Sequence, residues 1–295
     1  MPRSILIVAN PISGAGRGAM LAHRLELALA ERGLEAVTRL TTRERSGMAL
    51  AAEVEPGEFD TIAVVGGDGS VADVIGGLAD PATAVAVVPA GTANVWAREA
   101  GIPRAPEGVA ALIDRGRTVR AELGLANGAP FFLFVGSGLD ARLVERVEAI
   151  RKRGNFRGGM RRWAVPGLRE FFGRPLARLS VEVEGRRIDD LSQVLVTRVR
   201  SYAGALKLPA GIDIADGRLH VVAISTRSKA RLAWLGLRAL LGAMPVGDGV
   251  ACIETRGPVR ISGAATEPWH RDGDHAGHGA VEVRLAGRAV RLVVA

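Results

Sequence analysis

Four short apolar runs constrain the first third of this chain more than any other feature: SILIVA (4–9), EAVTRL (35–40), TIAVV (61–65) and AVAVV (84–88). Stretches with helical periodicity follow them, at 17–32, 46–54, 70–78 and 93–99. Strand and helix in strict alternation predict a parallel sheet with helices on its faces, which is a Rossmann-like arrangement. From about residue 120 the pattern changes. PFFLFVG (130–136), RLSVEVEG (178–185), SQVLVTRV (192–199), GRLHVVAIS (217–225) and the three segments RGPVRISG, AVEVRLAG and RAVRLVVA read as strands without a helix between each pair. Such a run predicts an antiparallel β domain, interrupted by helical stretches near 139–172 and 227–243. The expected division is an α/β domain over 1–122 and a β domain over 123–295, with the last strand free to return to the first domain.

At 295 residues the chain is long for one hydrophobic core, in keeping with two domains. Lys and Arg outnumber Asp and Glu, 39 to 31, a formal net charge of +8 that favours anionic partners: nucleotide, nucleic acid or anionic membrane. No recognised nucleic-acid-binding module accompanies the charge. The single cysteine, Cys252, excludes an internal disulfide and a cysteine-based zinc site, and is compatible with the cytoplasm. Asn10, Pro11 and Gly14 interrupt the N-terminal apolar run, and no stretch of about 18 apolar residues occurs, so neither a signal peptide nor a spanning helix is expected.

Ligands of open parallel sheets bind beyond the carboxyl ends of the strands, where helix N-termini offer unpaired N–H groups. Three such ends carry loops of small residues. NPISGAGRG (10–18) contains Ser13, Gly14 and a cation, Arg17, able to contact an anion. GGDGS places Asp68 among Gly66, Gly67, Gly69 and Ser70, and PAGTANV places Gly91 and Thr92 before a helix. None is a P-loop, because GxxxxGK[ST] is absent. A lone carboxylate repels phosphate. Asp68 therefore reads as the manager of a cation, as a group that orients a donor, or as a plain N-cap for a helix near Ser70.

In order and spacing, NPISG, GGDGS, PAGTANVWAREAGIP, DIADGRLHVV and DGD (272–274) make the chain resemble the diacylglycerol kinase catalytic-domain family, particularly its soluble bacterial lipid kinases. The resemblance implies a phosphofructokinase- or NAD kinase-like first domain and a β-sandwich second domain, enclosing a cleft where ATP meets a lipid hydroxyl. It implies nucleotide contacts from Asn10, Thr41 or Thr42, Gly67, Asp68, Gly69, Ser70 and Thr92. It also implies a general base in the DGE-like element, matched by Asp272, with Asp274 in place of the glutamate. In DIADGRL it implies a magnesium loop with Asp213, Asp216 and the Arg218 carbonyl as ligands, where the residues alone read as an Asp-Gly turn.

His270, His275 and His278 stand close to Asp272 and Asp274, a donor set able to hold zinc, but Gly273, Gly277 and Gly279 favour a turn with solvated histidines. Between 142 and 178 arginines interleave with Phe156, Met160, Trp163, Leu168, Phe171 and Phe172, as in a peripheral interface with anionic lipid. A second such stretch, 227–244, contains Trp234 and several leucines, and packing on its own domain is the plainer reading of it. The expected activity is ATP- and magnesium-dependent phosphorylation of a lipid hydroxyl by a cytoplasmic protein at the inner membrane surface, with a homodimer as an option. The rivals are an NAD kinase-like phosphotransferase and a nucleotide- or lipid-binding regulator without turnover.

Overall fold

The computed structural model describes residues 4–152 and 164–295. The chain forms two compact units, Met1–Leu123 with Gly287–Ala295, and Gly124–Ala286.

Unit 1 follows β1 (Ser4–Ala9), a single turn α1 (Ser13–Gly16), α2 (Gly18–Ala30), β2 (Glu35–Leu40), α3 (Gly47–Ala52), β3 (Thr61–Gly66), α4 (Asp68–Gly77), β4 (Ala84–Pro89), α5 (Val95–Glu99), α6 (Pro106–Arg115) and the start of β5 (Thr118–Ala126). Its strands lie parallel in the order β2-β1-β3-β4. β1, β3 and β4 are buried along nearly their whole length, which is why they read as unbroken apolar runs, whereas β2 at the edge alternates. α6 was not among the expected helices, although Pro106 at its start and Gly116 in left-handed conformation at its end bracket it in the ordinary way.

Unit 2 contains β6 (Ala129–Phe131), β7 (Phe134–Gly138), α7 (Leu139–Lys152), α8 (Ala164–Gly173), β8 (Leu179–Val183), β9 (Arg186–Leu191), β10 (Gln193–Thr197), β11 (Ser201–Tyr202), β12 (Leu206–Lys207), β13 (Leu219–Ile224), α9 (Lys229–Leu240), β14 (Val250–Thr255), β15 (Val259–Ser262), β16 (Pro268–Arg271), β17 (Asp274–His278) and the start of β18 (Val281–Val293). One antiparallel sheet runs β14-β13-β10-β7-β16-β17, and a second runs β18-β15-β8-β9. Val135, Val194, Val196, Val221 and Trp269 of the first sheet share a core with Val181, Val183, Val259, Ile261 and Val283 of the second, which makes the unit a β-sandwich.

Two details differ from expectation. AVEVRLAG and RAVRLVVA are one strand, β18, which passes through Gly287 at φ 70° and ends in unit 1, where Arg291 and Leu292 pair in parallel with Ala84 and Val85 of β4. PFFLFVG is two strands in different sheets, β6 and β7, with the chain changing sheets at Phe132 and Leu133. Such a corner frees backbone amides that must be paired elsewhere.

Candidate functional site

In unit 1 the glycine loops after β3 and β4 are packed against each other. A Cβ on Gly91 would stand 2.5 Å from Gly67 Cα, and one on Gly66 would stand 2.5 Å from Ser70 Cβ and Oγ. The Ala90 N–H donates to Gly66 O at 2.9 Å. Gly67 and Gly91 are therefore required by contact between the two loops, and Gly66 by the turn that brings Ser70 back onto it, before any ligand is considered.

Asp68 fastens the pair. It is the first residue of α4, whose N-cap, Gly67, lacks a side chain, so the expectation of Asp68 as N-cap for a helix near Ser70 is not met. Its carboxylate instead accepts the Val95 N–H (2.9 Å) and the Trp96 N–H (3.1 Å), capping α5 from 27 residues away in sequence. The residue at the N-cap position of α5, Asn94 at φ 45°, turns its amide back to Gly91 N and O, both at 2.8 Å. Burial pushes the Asp68 carboxyl above its ordinary pKa, against the lowering effect of those amides and of Arg98. Gly69 and Ser70 lie in the first turn of α4 and Thr92 is exposed on the neighbouring loop.

The first loop is shaped by Asn10, whose Oδ1 accepts the Ile12 N–H at 3.2 Å, and by Gly18, where a Cβ would collide with Asn10 O. Gly14 is left-handed at φ 62°, and Ser13 opens the turn. The Arg17 Nε–H donates to Gly14 O at 2.9 Å, so its guanidinium folds onto its own loop. Asn10, Thr41, Thr42, Ser46, Ser70 and Asp73 line a cavity of about 160 Å³. The Thr42 hydroxyl is engaged by its own turn, donating to Glu44 Oε2 (2.9 Å) and accepting the Arg45 N–H (3.1 Å). Asp73 was not expected at this site. Its carboxylate suits the uncharged end of a nucleotide, rich in hydroxyl and amine donors, better than the phosphates.

In unit 2, Asp272 and Gly273 form the two-residue turn between β16 and β17, with φ of 50° and 88°, the left-handed pair that Asp-Gly favours. The Asp272 carboxylate reaches the corner between β6 and β7. Its Oδ2 accepts the Phe132 N–H at 2.6 Å, and its Oδ1 accepts those of Leu133 at 2.7 Å and Phe134 at 3.0 Å. Asp272 thus closes the sandwich corner, a structural duty beside the expected catalytic one. Asp274 is exposed at the start of β17.

Beside this turn lies a buried polar group that the sequence reading did not assemble. Tyr202, the chain's only tyrosine, donates to Asp140 Oδ2, and His270 Nε2 lies 3.1 Å from the same oxygen and 3.2 Å from the Tyr202 hydroxyl. Burial pushes the Asp140 carboxyl up, but the nearby His270 charge and hydrogen bonds from His270, Tyr202 and Gln193 outweigh it and hold the group below its ordinary value. Burial and the Asp140 charge push the Tyr202 hydroxyl well above 10.0. His270 is 1% exposed, which corrects its reading as a solvated turn histidine. A signal for Asp140 was present: strand, glycine and then an acid in the first turn of a helix, the same order as at Asp68.

The DIADGRL segment is a short 3-10 turn capped by Asp213, whose Oδ1 accepts the Ala215 N–H at 2.9 Å. Asp216 accepts the Arg218 N–H at 2.7 Å and pairs through Oδ2 with the buried His220 at 2.7 Å, while the Arg218 side chain bonds Glu254 at 2.6 Å. Carboxylate oxygens with lone pairs to spare, one of them oriented by a histidine, fit the needs of magnesium.

Of the expected lipid-facing residues, Phe156, Met160 and Trp163 lie outside the described residues, as does the Leu168 side chain; Phe172 is exposed on α8. On α9 only Leu235 and Ala239 are buried, so packing on its own unit accounts for one stripe, while Trp234, Leu237 and Leu240 are exposed. No helix among the described residues is long and apolar enough to cross a membrane.

Residues 4–126 match the diacylglycerol kinase catalytic domain, and residues 134–294 match the YegS C-terminal NAD kinase beta sandwich-like domain. A diacylglycerol kinase of Mycobacterium tuberculosis (strain CDC 1551 / Oshkosh) is 28% identical over 77% of this chain and 75% of its own. The diacylglycerol kinase of Bacillus subtilis (strain 168) is likewise 28% identical, over 80% and 78%. The crystal structure of a diacylglycerol kinase from Bacillus anthracis str. Sterne superposes with a TM-score of 0.77 at 20% identity, covering 99% of this chain and 97% of that one. With both of its units matched in order, the chain belongs to the diacylglycerol kinase-like family of lipid kinases.

Proposed function

We propose that the protein transfers the γ-phosphoryl group of ATP to a hydroxyl of diacylglycerol or a related lipid. The observation that carries this reading is the pair of loops in unit 1 tied by Asp68, which turns the N-terminus of α4 and the backbone of Gly67–Ser70 into a fixed anion cradle beside a cavity lined by hydroxyl and amide groups and the Asp73 carboxylate. ATP supplies the phosphoryl group. Gly67, Gly69 and Ser70 would hold its phosphates, while Asn10, Thr41 and Asp73 would hold the uncharged end. Magnesium at Asp213, Asp216 and the Arg218 carbonyl would stabilise that loop.

In unit 2 the lipid hydroxyl must give up its proton as the phosphoryl group arrives, and the Asp272–Gly273–Asp274 turn offers two carboxylates for it. The Asp272 carboxylate is rigidly held, with three amides on its two oxygens. It is the proposed proton acceptor, and Asp274 a supporting charge. For the acceptor's membrane, α9 offers Trp234, Leu237 and Leu240 with Arg238, whose guanidinium lies 5.3 Å from the Trp234 ring centroid; the patch would rest on an anionic lipid surface.

The test is labelled ATP with a mixed lipid extract, the product identified by mass, with NAD as a parallel acceptor. A phosphorylated lipid, strongly reduced in Asp272→Asn with native circular dichroism and only several-fold reduced in Asp274→Asn, is the expected result. Label in NAD alone, or ATP binding without any labelled product, would overturn the reading.

A further inference from the structure

We propose that Glu145, His275 and His278 bind a first-row divalent metal ion, with zinc the best fit, on the outer face of the β16–β17 hairpin. One donor atom from each residue lies within 4.8 Å of the other two. His278 Nε2 already meets Glu145 Oε1 at 2.7 Å, the two imidazole rings are 4.8 Å apart, and His275 Nδ1 is buried without a hydrogen-bond partner. Ligands of tetrahedral zinc, with bonds of about 2.0–2.1 Å, sit roughly 3.4 Å apart, so side-chain torsions alone can draw the three donors in.

The backbone explains why the two histidines meet. Residues three apart in a regular strand point to opposite faces. Here the pairing of β16 with β17 slips between Trp269 and His270: Trp269 faces Gly277 and His270 faces His275, leaving Ala276 as an extra residue. That bulge restores His275 and His278 to one face. Gly277 makes room for the Trp269 indole, whose Nε1 would lie 2.9 Å from a Cβ there. Glu145 comes from α7, five residues beyond Asp140. Two imidazoles and a carboxylate are a borderline nitrogen and oxygen set that suits zinc and excludes magnesium, and they leave a fourth position for water. Asp272, Asp274 and His270 take no part, so the site is separate from the acid pair at the turn. A bound ion would lock α7 to the hairpin that carries Asp272.

The test is zinc titration of the metal-stripped full chain by calorimetry, followed by cobalt substitution and visible absorption. Expected are one zinc per chain, an intense tetrahedral cobalt spectrum, and a loss of affinity of about ten-fold or more in each of Glu145→Gln, His275→Ala and His278→Ala. His23→Ala, on the exposed face of α2, should bind as the parent does. Circular dichroism separates loss of site from loss of fold, and a zinc-induced rise in melting temperature absent from the three variants is the independent readout. No stoichiometric binding by the parent chain, or unchanged affinity in folded variants, would overturn the proposal.

Discussion

Asp68 and Asp272 hold backbone amides before they do anything else, two for the first and three for the second. Loss of activity in an alanine variant of either therefore has two causes that must be separated. Asp68→Ala should lower stability by about 1–3 kcal/mol, because two buried amides lose their acceptor, and Asp68→Asn by less, since one oxygen is retained; chemical denaturation measures both. At Gly136 a Cβ would collide with His270 and stand 2.9 Å from Asp140 Oδ2, so Gly136→Ala should cost roughly 1–3 kcal/mol and abolish the Asp140–His270 contact. The same group predicts a pH profile. Asp140 is lowered, so its contribution is present above its unfolded value near 3.8 and is lost as pH falls through the folded value. Tyr202 is raised, so its contribution is complete below 10.0 and fades as pH rises beyond it. Melting temperature against pH should fall at both ends, and Tyr202→Phe should lessen the alkaline fall, to which the raised Cys252 thiol also contributes.

At the scale of elements, parallel strands were legible because burial on both faces leaves continuous apolar runs, as in β3 and β4. The corner at Phe132 and Leu133 was not, because its apolar residues continue through it and the partner that pairs its amides is about 140 residues away. For the same reason Asp140, Tyr202 and His270 were read singly or not at all: separations of 62 and 130 residues leave no local pattern. β18 was split at Gly287 because a glycine within a strand normally marks a break. The α9 patch gives a prediction of its own kind. Trp234→Ala, Leu237→Ala and Leu240→Ala combined should lower co-sedimentation with anionic vesicles several-fold while leaving the helix intact by circular dichroism; unchanged sedimentation would remove α9 as the contact.

For the molecule as a whole, unit 2 is one uninterrupted piece of chain, Gly124–Ala286, but unit 1 is not, because residues 287–295 complete it. A chain ending at Ala286 would lose the pairing of Arg291 and Leu292 with β4 and the burial of Val290, Leu292 and Val293. At about 1.5–3 kcal/mol for each buried side chain, that is enough to unfold a marginal domain, and the truncated protein should appear in the insoluble fraction on expression. The tie made by Asp68 has a further consequence for the energetics of recognition. Loops already joined through a shared carboxylate have little motional freedom left to surrender when an anion arrives, so less of the interaction energy is consumed in ordering them and more remains as affinity. A free-energy gain of that kind shows as a small entropic penalty, and severing the tie should enlarge it even where every contact to the ligand survives.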